Sequence, residues 1–262
     1  MKQWDEHVTE GEEVARTPGF RALRDRIVEL AGASRDDVVV DIGAGTGLLT
    51  LALAPCVQRV WAVDISRGMC DYLDAKARSG GLENVVTAVS SAVSLPLVDG
   101  AADVVVSNYC FHHLDSGDEK LRALKEARRV LKPGGTLVFG DMMFTLDPRD
   151  ARDRQVVGAK VRSLARRGPA GIWRLTRNGL RVATGRWESP ANADWWSHAL
   201  GIAGFTDVGV ALCEHEGGVA RARRPVVDAR RSPALAHAER ARRPSRPHMR
   251  SNDARDQRSL VP

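Results

Sequence analysis

Residues Val38–Leu51 read VVVDIGAGTGLLTL, and this stretch decides the fold. Its three valines are β-branched and uninterrupted by polar residues, which is typical of a short strand buried on both faces of a parallel sheet. Asp41 ends the strand, and three glycines follow at alternate positions, where a backbone without Cβ atoms can turn tightly. Thr46 can cap a helix over residues 48–54. The stretch therefore predicts a strand, a bare loop and a helix N-terminus in succession.

The spacing of the glycines in this loop indicates which kind of ligand it binds. Gly43, Gly45 and Gly47 alternate, whereas a dinucleotide-binding loop has the spacing G-x-G-x-x-G, which rests a pyrophosphate on the helix N-terminus. The carboxylate of Asp41 would repel a pyrophosphate but attract a cationic group. S-adenosylmethionine, which carries an ammonium and a sulfonium and no phosphate, is one ligand of this kind.

A second acidic residue, Asp64, lies 23 positions beyond Asp41. It follows Gln58–Val63 (QRVWAV), which reads as another buried strand. A carboxylate at the carboxyl end of a strand can accept hydrogen bonds from both hydroxyls of a ribose. The alternative is that Asp64 only caps the following helix, and the nearby glycine loop makes that alternative the weaker one.

The motif DIGAGTG, with an acid at the end of the next strand, resembles the class I S-adenosylmethionine-dependent methyltransferases, and within them the small-molecule, type 11-like members. The resemblance covers about residues 18–222. It implies an α/β fold: a Rossmann-like, doubly wound sheet of seven strands with an antiparallel last strand, in three αβα layers. The residues that it implies as cofactor contacts are Asp41, Gly43, Ala44, Gly45, Gly47, Asp64, Ile65, Ser91, Ala92, Ser107 and Asn108.

The segment after the third predicted strand, Asn84–Val89, departs from the family pattern. The family usually has an acidic residue before a small one here, where the acid contacts the adenine amino group. In this chain Ser91 and Ala92 stand in those places, and Leu95 and Pro96 follow. A hydroxyl accepts that hydrogen bond more weakly than a carboxylate. We therefore expect Ser91 to be an adenine neighbour with a weaker bond.

The loop after the fourth predicted strand (residues 101–107) indicates the class of acceptor. It reads SNYCFHHL over residues 107–114. Family members that alkylate nucleic-acid bases carry an N-P-P-Y type signature here, which lets a flipped base stack. This loop has no proline and resembles that of the small-molecule and quinone-type methyltransferases. We therefore expect a small organic acceptor that reacts through oxygen, nitrogen or carbon.

His112 and His113 in this loop are the candidates for a general base, because imidazole titrates near neutral pH. The alternative is structural, with one ring bonded to a loop carbonyl and the other facing solvent. Methyl transfer can also proceed without a base, since alignment of the nucleophile at about 3–3.5 Å from the methyl carbon can supply most of the acceleration. The sequence leaves these alternatives open.

An insertion over residues 142–188, after the fifth predicted strand, is expected to cover the active site as a substrate cap. The sequence predicts helices over residues 149–166 and 172–184, separated by the breaker GPAG. Trp173 and Trp187 could stack a planar acceptor, although tryptophans are more often core residues. The arginines of the insertion could steer an anionic substrate, although a solvated helix face is the more common explanation.

The net charge of +6 is distributed unevenly along the 262 residues. Residues 221–262 hold twelve arginines and four acidic residues, whereas residues 1–220 hold 27 basic and 29 acidic residues. We predict an N-terminal segment, 1–17, that can act as a lid, a methyltransferase domain, 18–222, and a disordered Arg/Ala/Pro-rich tail, 223–262. The tail could be a basic arm for nucleic acid, but we favour an unselected extension in a GC-rich coding sequence.

Other features limit the compartment and the partners. No apolar run approaches eighteen residues, and the polar, acidic N-terminus is unlike a signal peptide. The four cysteines include no C-x-x-C pair, which argues against a zinc site or a disulfide framework. We expect a cytoplasmic bacterial enzyme, by association one of secondary metabolism, with a small-molecule substrate and no metal, membrane or nucleic-acid partner. The oligomeric state is open between monomer and homodimer.

Two other functions remain open. A tRNA or rRNA methyltransferase would use the basic tail as an electrostatic arm. A module that binds the cofactor without catalysis would act as an interaction partner, which the intact glycine loop disfavours.

Overall fold

The computed structural model describes residues 4–183, 189–213 and 216–226; Trp187 and the predicted tail from residue 227 onward lie outside these ranges. The strands are β1 (Val38–Ile42), β2 (Arg59–Asp64), β3 (Val85–Val89), β4 (Ala102–Asn108), β5 (Leu131–Met142), β6 (Thr206–Leu212) and β7 (Gly217–Arg223). The α-helices are α1 (Val8–Ala15), α2 (Pro18–Ala31), α3 (Thr50–Leu53), α4 (Arg67–Ser79), α5 (Gly117–Val130), α6 (Ala151–Ala165), α7 (Pro169–Ala183) and α8 (Ala193–Ile202). None of the described helices is long and apolar enough to cross a bilayer.

The strands form one sheet in the order β3-β2-β1-β4-β5-β7-β6. Strands β1 to β5 pair with one another in parallel, and β7 runs antiparallel to both β5 and β6. The predicted fold class is confirmed, including the antiparallel end of the sheet. The direction of winding reverses between β1 and β4, and in sheets of this kind ligands bind beyond the carboxyl ends of the strands at that point.

Helices cover both faces of the sheet because β1 is apolar on both sides. Val40 packs with Phe139 of β5 and Trp196 of α8 in one buried cluster. Its neighbour Val39 belongs to a second cluster with Leu23 of α2. Successive strand residues point to opposite faces, so an uninterrupted run of valines holds a helical layer on each side.

The helix that follows the glycine loop begins later than the sequence predicts. Residues 45–49 form turns, α3 spans only Thr50–Leu53, and Thr46 does not cap it. Gly45 and Gly47 have φ angles of +51° and +92°. Because right-handed helices require negative φ, no helix can begin until the chain has passed Gly47.

The insertion contains two helices, as predicted. The first, α6, is capped by the carboxylate of Asp150, which accepts a hydrogen bond from the backbone N–H of Asp153 at 2.9 Å. The second, α7, begins at Pro169, three residues before the predicted start. Proline fits the first turn of a helix, where the N–H that it lacks would have no intrahelical partner.

Candidate functional site

A cavity of about 280 Å³ lies at the carboxyl ends of β1, β2 and β4. The structure brings nine of the eleven predicted cofactor residues to its wall: Asp41, Gly43, Ala44, Gly45, Asp64, Ile65, Ser91, Ala92 and Asn108. Of the two candidate bases, His113 lines it as well.

The glycine loop is held against β2 and β4 by close backbone contacts. The backbone N–H groups of Gly43 and Ala44 both donate to the carbonyl of Val63, at 2.8 and 3.1 Å. A Cβ atom at Gly43, whose φ is +70°, would overlap the Cβ and Sγ atoms of Cys110. At Gly45, in contrast, a Cβ atom would meet open space. Gly43 therefore fixes the path of the loop, and Gly45 leaves room on the side that borders the cavity.

Asp41 brings a buried carboxyl group to the base of the cavity. One of its oxygens accepts a hydrogen bond from the hydroxyl of Thr50 at 2.6 Å. Burial raises the pKa of Asp41 from 3.8 to about 7, against the lowering effect of that hydrogen bond. A cation beside this carboxyl would favour its ionised form, so the site is suited to a positively charged group.

Asp64 joins the end of β2 to the loops on either side of it. Its two carboxylate oxygens accept hydrogen bonds from the backbone N–H of Gly45 at 2.8 Å and of Ser66 at 2.9 Å. Burial raises the pKa of Asp64, whereas these two bonds act in the opposite direction. The carboxylate thus holds the glycine loop and lines the cavity at the same time, and it could accept hydrogen bonds from vicinal hydroxyls there.

Two predicted cofactor residues, Gly47 and Ser107, are not among the described residues that line the cavity. A Cβ atom at Gly47 would overlap Leu73 of α4, so this glycine permits close packing of the loop on that helix. Ser107 is buried, and its hydroxyl donates to the carbonyl of Ile42 at 2.8 Å. Both residues hold the loop and strand ends in place beneath the cavity, and their direct contact with the cofactor stays a prediction.

The two histidines occupy different environments. His112 is buried and does not line the cavity; its Nδ1 lies 2.5 Å from Oδ1 of Asp141, whose other oxygen accepts the backbone N–H of His112 at 3.0 Å. The ring of His113 lies 3.8 Å from that of His112 and 4.6 Å from that of Trp4. The structure therefore places only His113 where it can reach a bound molecule, and His112 supports it from behind.

The aromatic wall of the cavity was not identified from the sequence. Phe20 of α2 and Tyr109, which follows β4, stack at 4.3 Å between ring centroids, and both line the cavity. Tyr109 has a φ of +53°, an unusual value for a residue other than glycine. Nothing local in the sequence indicated that the loop after β4 would bring Tyr109 against Phe20.

The N-terminal segment also contributes to the wall. Trp4 and Val14 line the cavity. Asp5 anchors the segment, because its carboxylate accepts hydrogen bonds from the hydroxyl of Ser66 at 2.5 Å and the backbone N–H of Gly68 at 2.9 Å. A contact with the site agrees with the expected lid position, and opening and closing of this segment stays a prediction.

The insertion was predicted to be a substrate cap, and that role stays a prediction. None of the described residues of the insertion lines it. Arg152 of α6 instead donates to the carbonyls of Cys213 and Gly217, at 2.9 and 3.0 Å, and so ties the helix beside the β6–β7 connection. Trp173 of α7 is 62 % exposed, so it is not a core residue, and its contact with a substrate stays a prediction.

The family model that describes a methyltransferase domain matches residues 40–139. These residues form a class I methyltransferase domain. Such a domain uses S-adenosylmethionine as its cofactor. The cavity fits this molecule, because the bare face of Gly45 leaves space, Asp41 suits a cationic group, and Asp64 can accept hydrogen bonds from a ribose.

Relatives of the domain include proteins from several bacteria. The uncharacterized methyltransferase YcgJ of Bacillus subtilis is 33% identical over 122 residues, which are 47% of either chain. The uncharacterized protein YafE of Escherichia coli is 37% identical over 133 residues, 50% of this chain and 62% of that one. The malonyl-[acyl-carrier protein] O-methyltransferase of Methylococcus capsulatus is 36% identical over 104 residues, 38% and 36% of the two chains. This chain therefore spans less than two thirds of the length of each of these relatives.

Solved structures share the fold of the methyltransferase domain. The crystal structure of B. subtilis YcgJ has a TM-score of 0.56 at 19% identity and covers 78% of this chain and 98% of its own. That of an S-adenosylmethionine-dependent methyltransferase from Aquifex aeolicus has a TM-score of 0.58 at 21% identity, covering 83% and 98%. At these identities the likeness concerns the fold alone.

Proposed function

We propose that this domain transfers a methyl group from S-adenosylmethionine to a small organic acceptor and releases S-adenosylhomocysteine. The cofactor, when bound, supplies an electrophilic methyl group on a cationic sulfur. An oxygen, nitrogen or carbon nucleophile of the acceptor attacks the methyl carbon in line. The observation that carries this proposal is that both strand-end carboxylates, the bare face of the glycine loop and one imidazole line a single cavity. A cytoplasmic bacterial setting belongs to the same proposal.

The wall formed by β1 and β2 holds the cofactor in this proposal. Asp41 pairs with the cationic amino-acid end, and Asp64 accepts hydrogen bonds from the ribose hydroxyls. Ser91 and Ala92 border the adenine, as the resemblance implies, and Asn108 borders the cofactor from the end of β4. Ala44 and Ile65, also at the wall, add apolar contact.

The opposite wall receives the acceptor. His113 takes the proton that an oxygen or nitrogen nucleophile releases as it is methylated. Trp4, Phe20 and Tyr109 give this side an aromatic lining that excludes water and favours a planar or apolar acceptor. The aromatic surroundings support a small organic acceptor.

Release of S-adenosylhomocysteine tests this function directly. The full chain is incubated with S-adenosylmethionine and a panel of phenols, carboxylic acids, amines and thiols, and the product is quantified, with Asp64→Ala as the inactive control. We expect acceptor-dependent product from the wild-type protein alone. Cofactor binding without product for any acceptor would support the non-catalytic module instead, and product with transfer RNA alone would support the nucleic-acid enzyme.

A further inference from the structure

The exposed side of α7 is apolar. Ile172, Trp173 and Leu180 are 55, 62 and 65 % exposed. With 3.6 residues per turn, positions 172, 173, 176 and 180 fall on one side of the helix. Thr176 at the centre of this side has its hydroxyl bonded to the carbonyl of Trp173 at 2.8 Å, so that side offers little polar surface.

The opposite side of α7 already packs on the protein. Gly171 is buried, and an added Cβ atom there would overlap the carbonyl of Leu164 in α6. Leu175, one turn further along, is partly buried. The stripe of Ile172, Trp173 and Leu180 is therefore a second apolar face and not the one that holds the helix to its neighbour.

The charge around this stripe has a single sign. From Arg154 to Trp187 the chain contains nine basic residues and no acidic residue. Arg174 and Arg177 on α7 are exposed, and the guanidinium of Arg177 lies 5.0 Å from the centre of the Trp173 ring. A helix that combines an apolar stripe with arginines and tryptophan is typical of segments that lie in the interface of an anionic membrane.

The same charges argue against the other occupants. In a symmetric dimer across this face, the arginines of one copy would meet those of the other. Residues 227–262 of the chain itself carry an excess of arginine and would be repelled too. A nucleic acid would pair with the arginines, but it would leave the aliphatic side chains of Ile172 and Leu180 without an apolar partner.

We propose that the exposed face of α7 docks the protein onto an anionic lipid surface. The apolar stripe enters the acyl-chain boundary, and the flanking arginines contact lipid phosphates. The helix, 15 residues long, would lie in the plane of the interface over about 22 Å. The sequence argument against a membrane partner concerned segments that cross a bilayer, and a helix that lies on its surface is a different mode of binding.

Contacts of α6 connect the docking face with the carboxyl end of the sheet, where the cavity also lies. Arg152 of α6 donates to Cys213 and Gly217, and Lys160 forms an ion pair with Glu216 at 2.5 Å. Gly217 pairs with Met142 at the carboxyl end of β5. A bilayer that holds α6 and α7 would therefore lie near the same end of the sheet as the candidate site. The docking does not depend on methyl transfer.

Vesicle sedimentation with the full chain tests this proposal. Vesicles of phosphatidylcholine, with or without 30 mole per cent phosphatidylglycerol (roughly the anionic content that gives a strong surface potential), are compared at low and physiological salt. We expect binding to the anionic vesicles only. The triple variant Ile172→Ser, Trp173→Ser, Leu180→Ser should lower the partition coefficient about tenfold or more. The variant Arg174→Gln, Arg177→Gln should lower it severalfold and reduce its salt dependence.

A matched control separates this face from exposed apolar residues in general. Val98 and Ile202 are also exposed and lie outside the insertion, so the variant Val98→Ser, Ile202→Ser should bind vesicles as the wild type does. Neither α7 variant should change affinity for S-adenosylhomocysteine, because none of the five substituted residues lines the cavity. That calorimetric measurement also establishes that the variants are folded and keeps this test separate from that of the proposed function.

Three results would overturn the proposal. The wild-type protein could fail to bind anionic vesicles at low salt. The triple variant could bind them as well as the wild type, which would assign binding to the arginine-rich tail that this variant retains. Transfer RNA could bind the wild type and the triple variant equally and displace both from vesicles, which would assign the arginines to nucleic acid.

Discussion

Residues 38–66 and residues 151–183 are similar in length but use their side chains in opposite ways. In the first region β1 is almost wholly buried, and its polar groups Asp41 and Asp64 are bonded to Thr50, Gly45 and Ser66. In the second, α6 buries only three residues, and α7 exposes its apolar stripe. The polar groups of the first region are satisfied by their own neighbours, whereas the second region leaves an apolar stripe exposed.

This difference predicts different responses to substitution. In the loop region a change alters both the local backbone and the cavity, because the same groups serve both. In the insertion a change alters local stability or surface binding and leaves the cavity intact. The following tests examine that contrast, beginning with the largest expected effect.

Replacement of His113 by alanine should lower the rate of S-adenosylhomocysteine release about a hundredfold to ten-thousandfold, because the variant lacks the base at the cavity. His198→Ala, at an exposed position of α8, is the control and should keep the wild-type rate. His112→Ala should instead lower the free energy of unfolding by about 1–3 kcal/mol, since Asp141 loses its ring partner. Rates within threefold of wild type for both His112→Ala and His113→Ala would exclude the general base.

Asp64→Ala should weaken the binding of S-adenosylhomocysteine about a hundredfold, because two charge-assisted hydrogen bonds to the ribose are lost. The matched residue in the insertion is Asp153, a buried carboxylate that accepts hydrogen bonds from the backbone N–H groups of Thr145 and Asp147 at 2.9 and 2.8 Å. Asp153→Ala should destabilise the protein by about 1–3 kcal/mol and leave affinity unchanged. Calorimetry that finds equal affinities for the two variants would refute the role of Asp64.

Gly43→Val should lower the free energy of unfolding by about 2–4 kcal/mol and abolish cofactor binding. Its side chain would overlap Cys110, and its positive φ disfavours a β-branched residue. Chemical denaturation measures the first effect and calorimetry the second. Wild-type stability together with wild-type affinity would contradict the close approach of the loop to β4.

Affinity for the cofactor should depend on pH through Asp41. Its pKa of about 7 means that the carboxyl is largely ionised at pH 8 and protonated at pH 6, so attraction of a cation falls as the pH falls. We expect affinity about tenfold lower at pH 6 than at pH 8. In Asp41→Asn, calorimetry at both pH values should find a smaller difference in cofactor affinity. An unchanged difference would exclude Asp41 as the cause of the pH dependence.

The same carboxyl should make the free protein less stable as the pH rises, whereas it makes cofactor affinity higher. Its pKa is raised from 3.8 to about 7 on folding, so its contribution to stability is complete below pH 3.8 and is lost as the pH rises through 7. Urea denaturation of the wild type and of Asp41→Asn at several pH values isolates this contribution. A wild-type minus variant difference that grows with pH would contradict the burial of Asp41.

The smallest effect is expected at Gly179 in α7, where an added Cβ atom meets nothing within 4 Å. Gly179→Ala should stabilise the protein by about 0.5–1 kcal/mol, since alanine favours a helix over the unfolded chain. Substitution of a glycine would thus lower the free energy of unfolding in the loop region and raise it in the insertion. Destabilisation at Gly179 would mean that this side of α7 is covered, and thermal denaturation measures the difference.

Local sequence was sufficient wherever neighbours along the chain determine the conformation. The valines of β1, the glycine loop and the acid at the end of β2 carry the family resemblance, and that resemblance implied the sheet and the nine cofactor candidates found at the cavity wall. Gly47 and Ser107 were assigned to the ligand because the motif contains them, but motif membership does not distinguish a residue that contacts the ligand from one that packs beneath it. The position of the insertion relative to the cavity could not be derived from the sequence either, because helix propensity does not determine where a helix packs.

The sequence by itself determined the positions of the first strands along the chain, the bare loop and the two acidic strand ends, because β-branched runs and glycine spacing act within a few residues. The tertiary structure alone decided which histidine reaches the cavity, that Phe20 stacks on Tyr109 beside it, and that the apolar stripe of α7 faces outward. These features depend on contacts between segments far apart in the chain, where many arrangements are compatible with the same local preferences and only packing selects one.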